Sequence, residues 1–293
     1  MKLEFDWVDA FTDQPFGGNG CAVVHDAAAL TSESCMAFTR ETGLVECTFL
    51  EPSEVADIKV RYFMANAEIP FAGHPTVASV VSMVNRGVVG AGDLVLETGA
   101  GLVPVTVRIE NETPIITMTQ IAPQFGAKMP ADLVAAVGGL SGDDILGTPQ
   151  VVSTGLPFCV TVLKSQDALR RAQMNVQALE IMREISGEAL NNVMEPFWVT
   201  LNGATPQGDT FSRLLLAPPL PAEDPFTGSA TGAMAAYLWA NGLIDQPEFS
   251  AEQGHDMGRP GRAKVKVLGP RDAISGVQVS GPGYVLMQGS VRL

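Results

Sequence analysis

Two stretches of this chain combine residues that can do chemistry with backbone that can bind charge. Glu68-Ile-Pro-Phe-Ala-Gly-His-Pro-Thr-Val-Ala leads into a helical pattern ending Asn85-Arg-Gly87, and Glu223-Asp-Pro-Phe-Thr-Gly-Ser-Ala-Thr-Gly-Ala leads into one ending Asn241-Gly242. A Pro-Phe-x-Gly turn feeding a helix leaves the first amide N–H groups without intrahelical partners, at the positive end of the helix dipole. Gly73 and Gly228 permit close backbone approach, and His74 and Ser229 are expected at the first exposed helix positions. Such starts suit a carboxylate or the oxygen of an enolate-like intermediate. The plainer reading makes His74 and Ser229 helix N-caps. Serine is a favoured cap and histidine is not, so that reading accounts for Ser229 better than for His74.

Proton transfer also needs a titratable group. In Gly43-Leu-Val-Glu46-Cys-Thr-Phe-Leu50 a strand running from Val45 would put Val45, Cys47 and Phe49 on one face and Glu46 and Thr48 on the other. A carboxyl in such an apolar run can exchange protons near neutrality if burial raises its pKa, although many strands carry a solvated glutamate.

The elements that would position these groups repeat. The two stretches coincide at Glu, Pro, Phe, Gly, Thr, Ala and the capping glycine at one offset of 155 residues, from Glu68 to Glu223, and Arg61 and Arg213 precede them on strand-like runs. Duplicated halves, each a sheet with one principal helix, are the simplest explanation. Short Val/Ile/Phe/Thr-rich runs between Gly, Pro, Asn and Asp clusters predict strands near residues 3–8, 45–50, 58–63, 94–96, 102–109 and 115–118. A second series is predicted near 158–163, 197–201, 211–216, 263–268, 277–279 and 284–287. Helices are predicted at 75–86, 131–137, 176–185 and 230–241. The class is therefore α+β, with antiparallel sheet predominant.

At 293 residues, 46% hydrophobic and 17% charged, the chain has material for two cores. No stretch reaches the roughly 20 uninterrupted apolar residues of a membrane span. The acidic N-terminus does not look like a secretory signal, so a soluble, cytoplasmic protein is expected. A net charge of -14 argues against nucleic acid as partner. Cys21, Cys35, Cys47 and Cys159 stand singly, as reduced thiols would, and His25, His74 and His255 lack metal-ligand spacing, so neither disulfide nor metal is implied.

Taken with Val8-Asp-Ala-Phe-Thr-Asp-Gln-Pro-Phe-Gly-Gly-Asn19, Glu41-Thr-Gly-Leu-Val-Glu46, Val152-Ser-Thr-Gly155, Gln253-Gly254 and Met257-Gly-Arg-Pro260, these motifs resemble, nearly end to end, the phenazine-biosynthesis PhzF-like proteins. These belong to the diaminopimelate-epimerase-like superfamily. The resemblance implies two pseudo-symmetric domains, each a curled antiparallel β-sheet or barrel around a central α-helix, with the active site between them. Residues 1–118 would form the first domain, completed by a C-terminal strand at 284–293, and residues 119–283 the second. It also implies an isomerase without a cofactor, a small carboxylate-bearing substrate and a homodimer. The family's acid/base glutamate corresponds to Glu46, and its supporting residues to His74, Asp224 and Ser229. Asp224 is either a turn residue before Pro225 or a group that orients His74 or accepts a substrate hydrogen bond. Asn19 is either a turn former or a ligand contact, grouped with Gly73 and Gly228 as substrate-binding.

The chain departs from the family where Gly43, Val45 and Cys47 replace the usual polar neighbours of the glutamate. That weighs against dihydrohydroxyanthranilate as substrate more than against the reaction type. Cys47 should face away from Glu46 as a buried, inert thiol. Two other functions compete with a one-base isomerase. A two-base racemase or epimerase would use a thiol at each helix start, where this chain has His74 and Ser229. A non-catalytic small-anion binder would keep the fold and the helix starts without turnover.

Overall fold

The computed structural model describes residues 1–190, 192–218 and 220–292, without the side chains of residues 188, 189 and 194. The chain divides into two compact units, Met1–Thr119 with the segment from Ser280 onward, and Gln120–Val279.

The first unit is built from β1 (Lys2–Ala10), β2 (Asn19–Val24), α1 (Ser32–Thr42), β3 (Cys47–Glu51), β4 (Ile58–Phe63), β5 (Glu68–Ile69), α2 (Gly73–Asn85), β6 (Gly92–Thr98), β7 (Gly101–Glu110) and β8 (Thr113–Gln120). β1 pairs antiparallel with β2, β2 runs parallel to β3, β3 antiparallel to β4, β4 parallel to β6, and β6, β7 and β8 form an antiparallel meander. The last strand, Gly276–Arg292, pairs with β8 and, antiparallel, with β1, from Lys2 against Arg292 to Ala10 against Gly283. The ring is thereby closed, which leaves no open edge. Leu293, the end of the expected C-terminal strand, lies outside the described residues.

A closed ring needs a filler, and α2 is that filler. Residues Gly73 through Met83 are all buried, and the helix packs on β1, β2, β3 and β4. Its polar positions are satisfied from the sheet. Thr76 Oγ1 bonds the Ala72 carbonyl and meets Tyr62 Oη at 2.8 Å, and Ser79 Oγ donates to Thr48 Oγ1 at 2.8 Å. At its C-terminal end Ser82 and Arg86 donate to the fully buried Asp6 of β1. On the outer face of the sheet α1 buries Cys35 and Phe38 against Cys47, Phe49 and Phe63.

The second unit continues with β9 (Gln124–Lys128), α3 (Ala131–Val137), β10 (Gln150–Ser153), β11 (Pro157–Val162), α4 (Gln166–Arg171), α5 (Val176–Ser186), β12 (Met194–Thr200), β13 (Thr210–Leu215), β14 (Glu223–Asp224), α6 (Gly228–Ala240), β15 (Glu248–Gln253), β16 (Gly261–Leu268) and β17 (Gly276–Arg292). Its pairings reproduce those of the first. β10 and β11 are antiparallel, β11 and β12 parallel, β12 and β13 antiparallel, β13 and β15 parallel, and β15 and β16 antiparallel. α6 is apolar all round, as a helix enclosed by sheet must be, and packs on β10, β11 and β16. Outside the sheet, α3, α4 and α5 bury a separate cluster with Trp198 and Phe211.

The repeat read from the sequence is therefore a repeat of structure. α2 and α6 begin at Gly73 and Gly228 and end at Asn85 and Ala240, so both bounds keep the 155-residue spacing. The α+β class is as expected. Two elements differ from expectation near the candidate site. β3 begins at Cys47, so Val45 and Glu46 precede the strand instead of lying in it, and α1 was not anticipated. The arrested strand follows from Gly43, which ends α1 at φ 69, leaving Leu44 to Glu46 as the connection into the sheet.

Candidate active site

In the first unit the fold gathers three of the singled-out residues. His74 is the second residue of α2, Asn19 opens β2, and Glu46 lies one residue before β3. Asn19 Nδ2 stands 3.1 Å from His74 Nδ1, and Glu46 Oε2 stands 3.5 Å from the same nitrogen.

Each side chain is placed by local chemistry. The loop before Asn19 folds back on β1. Buried Asp9 accepts the Phe16 N–H at 2.9 Å, and Gly18 takes φ +49 where a β-carbon would lie 2.0 Å from the Ala10 carbonyl oxygen. Glu46 follows the alternation expected of it even outside the strand. Thr48, two residues on, meets Ser79 of α2, while Cys47 and Phe49 turn into the cluster beneath α1. Cys47 is fully buried, and burial pushes its thiol pKa up. It is inert and faces away from Glu46, as the sequence indicated.

His74 departs from expectation. It is neither exposed nor an N-cap. Ala72 is the N-cap residue, and the histidine is only 5% exposed. Burial drives its pKa down to about 3, so the ring is neutral and its approach to Glu46 is not an ion pair. Nδ1 is held by Asn19, with the Gly20 backbone as a further hydrogen-bonding neighbour, while the buried Nε2 has no hydrogen-bond partner among the described residues. In either tautomer one ring nitrogen is tied and the other is unsatisfied.

The second unit holds Asp224, Gly228 and Ser229. Asp224 ends β14 and is buried, Gly228 opens α6, and Ser229 is half-buried at the second helical position. Thr227, not Ser229, is the N-cap residue, and its side chain does not cap the helix but donates to Asp224 Oδ2 at 2.5 Å. The cap reading is thus excluded for both helices, and neither N-cap residue caps its helix through its side chain.

Several supporting residues were missed by sequence reasoning. Gln253 is fully buried and holds the turn of Asp224 and Thr227, and Gln120, bonded by Thr154, donates to the Gly228 carbonyl at the start of α6. The Gln253-Gly254 and Val152-Ser-Thr-Gly155 motifs were the available signals. Among the described residues no three His, Cys, Asp or Glu side chains gather as a metal site. No described helix is long and apolar enough to cross a membrane.

Comparison with known proteins shows the family. Residues 8–289 match the PhzC-PhzF family of phenazine biosynthesis-like proteins. The chain is 30% identical over 291 residues to the trans-2,3-dihydro-3-hydroxyanthranilate isomerase of Pseudomonas aeruginosa, covering 98% of each chain. It is 32% identical to an uncharacterized isomerase, YddE, of Salmonella typhimurium, covering 98% of this chain and 97% of the relative. A crystal structure of a Bacillus anthracis phenazine biosynthesis protein of the PhzF family superposes with a TM-score of 0.88 at 28% identity, covering 100% of each chain. The fold is the diaminopimelate-epimerase-like one, and relatives with this fold and sequence are isomerases. The chain belongs to the PhzC-PhzF family of phenazine biosynthesis-like proteins.

Proposed function

We propose that this protein is a cofactor-independent isomerase that moves a proton on a small carboxylate, with Glu46 as its single acid/base. The observation that carries this reading is the constellation around His74, a buried neutral imidazole tied through Nδ1, with Nε2 unsatisfied and a carboxylate 3.5 Å away. Leaving a buried polar atom unpaired costs about 1–3 kcal/mol, so a persistent orphan calls for a partner supplied by something else. A substrate oxygen can supply that partner.

The chemistry follows from the residues. A neutral imidazole does not neutralise Glu46, so the carboxylate is available to take a proton from a carbon activated by an adjacent carbonyl or by conjugation. His74 Nε2 and the first amides of α2 face the charge that develops on the substrate, an arrangement that needs no reorganisation as the charge forms. Glu46 then returns the proton to another carbon on the same face. Asp224 at the end of β14 and Ser229 at the second position of α6 are assigned supporting catalytic roles that contact substrate. A two-base racemase is less well supported, because neither helix start carries a thiol and all four cysteines are buried.

The test is incorporation of solvent deuterium into carbon. The purified protein is incubated in deuterated buffer with a panel of small cyclic and amino-acid-derived carboxylates, including trans-2,3-dihydro-3-hydroxyanthranilate, the compound named for the Pseudomonas relative. Exchange or isomerisation of at least one is expected. Carboxylates that raise the melting temperature without any exchange would overturn the reading in favour of a non-catalytic binder.

A further inference from the structure

The two copies of the turn and helix agree wherever the fold needs them to. Arg61 pairs with Glu68 in the first unit and Arg213 with Glu223 in the second. Thr76 bonds the Ala72 carbonyl, and Thr231 bonds that of Thr227. A glycine lies beneath the proline of each turn. A β-carbon at Gly99 would come 2.9 Å from Pro70 Cα, and one at Gly254 would come 2.6 Å from the Pro225 carbonyl oxygen. Each of these pairs, the arginines aside, is again 155 residues apart.

Among the positions that differ, three differ together. Ile69, Ala72 and Thr98 of the first unit become Asp224, Thr227 and Gln253 in the second. The new residues form one network with relative exposures of 5%, 8% and 0%. Gln253 Nε2 donates to the Asp224 carbonyl at 2.8 Å and to Thr227 Oγ1 at 3.2 Å, and Gln253 Oε1 accepts the Thr227 N–H at 3.0 Å. Thr227 Oγ1 passes the chain on by donating to Asp224 Oδ2. The amide orientation is fixed by this pattern, since only one of its two placements supplies both the donor and the acceptor that the neighbours need. In the first unit Thr98 instead turns its hydroxyl to the Gly101 carbonyl, and the same turn and helix form around Ile69 and Ala72.

The fold therefore does not require the network. Burying three polar side chains where the sister copy makes do with smaller or apolar ones costs desolvation that only fully made hydrogen bonds offset. What the second unit gains is a carboxylate held at Oδ2 by the Thr227 hydroxyl, which Gln253 in turn holds in place. We infer that Thr227 and Gln253 are positioning residues for Asp224, holding its carboxylate in the orientation in which it meets substrate. The inference rests on the proposed role of Asp224, and its structural half stands apart from it.

The experiment has two arms. Crystal structures of Thr227→Val, which keeps the shape and loses the hydroxyl, and Thr227→Ser, which keeps the hydroxyl, read the carboxylate directly. The Asp224 side chain is expected to leave its place in the valine variant and keep it in the serine variant, with α6 unchanged in both. A carboxylate that stays put in Thr227→Val overturns the inference whatever the activity does.

The second arm measures deuterium exchange with a carboxylate that the wild-type protein turns over. A displacement of ~1 Å is worth roughly 10²-fold in rate, so Thr227→Val and Gln253→Leu should lower kcat by about that factor, while Thr227→Ser restores it to about wild type. Thr227→Val should have no further effect in an Asp224→Asn background. Additive losses there would contradict action through Asp224. A moved carboxylate with an Asp224→Asn variant of full activity would leave the positioning intact and reject the catalytic reading of Asp224 instead.

Discussion

Acid should weaken the first unit through His74 in a window that the structure sets. An imidazole ordinarily titrates at 6.5, and burial takes that of His74 to about 3. Between these values the unfolded chain binds a proton that the folded chain refuses. The stability contributed by neutral His74 is thus complete above about pH 6.5 and is lost progressively as the pH falls toward about 3. At about 1.4 kcal/mol per pKa unit, lowering the pH from 6.5 to 4.5 should cost about 2 kcal/mol. Asp6 does not interfere, because hydrogen bonds from Arg86, Ser82 and Gln288 outweigh its burial and hold its carboxyl at about 2, so its loss comes below 3.8. His25 does overlap, since burial and the neighbouring Arg86 lower its pKa as well. The assay is urea unfolding at the two pH values for wild type, His74→Gln and His25→Gln, with the imidazole protons followed by NMR. His74→Gln should remove about 2 kcal/mol of the acid-induced loss. A His74 resonance titrating near 6.5, or a glutamine variant with the wild-type pH dependence, would refute the reasoning.

Three further outcomes are expected. Asp6→Asn should destabilise the protein by roughly 2–3 kcal/mol in urea unfolding at pH 7, because it leaves the guanidinium of Arg86 beside a site built for a charge. Gly254→Ala should cost about 3 kcal/mol, since its φ is +80 and its β-carbon would meet the Arg259 carbonyl oxygen at 2.3 Å, whereas Gly99→Ala should cost about 1 kcal/mol in the same thermal melts. Cys47→Ala should lower stability by about 1 kcal/mol and change turnover less than about threefold, because the thiol lies in the cluster under α1, away from Glu46.

The sequence made the class and the repeat legible because duplicated turns, glycines and caps leave marks at fixed spacing. It also made legible which way Glu46 and Cys47 face, since a two-residue period survives even where the strand starts late. Other features left no such mark. β2, Asn19–Val24, is buried at every position, so it has no alternation to read, and α1 is polar enough to pass for a loop despite the Thr31 cap. The burial of His74 was illegible because it depends on the ring of strands closing around α2, a consequence of pairings far apart in sequence. The clasp of Thr227 and Gln253 on Asp224 was equally hidden. Gln253 lies 29 positions from Asp224, and although the Gln253-Gly254 motif marks the position, nothing in it says that the amide is buried against Asp224 and Thr227.

The central claim is that Glu46 carries the proton, and Glu46→Gln tests it most directly. Glutamine keeps the shape and the neighbourhood of His74 but cannot accept a proton. The measurement is the rate of solvent-deuterium incorporation by wild type and variant, on a carboxylate that the wild type exchanges, together with the dissociation constant of that carboxylate. A loss of about 10²–10⁴-fold in kcat with binding changed only slightly is the result expected of a group used in the transition state. Exchange by the glutamine variant at the wild-type rate would contradict the account.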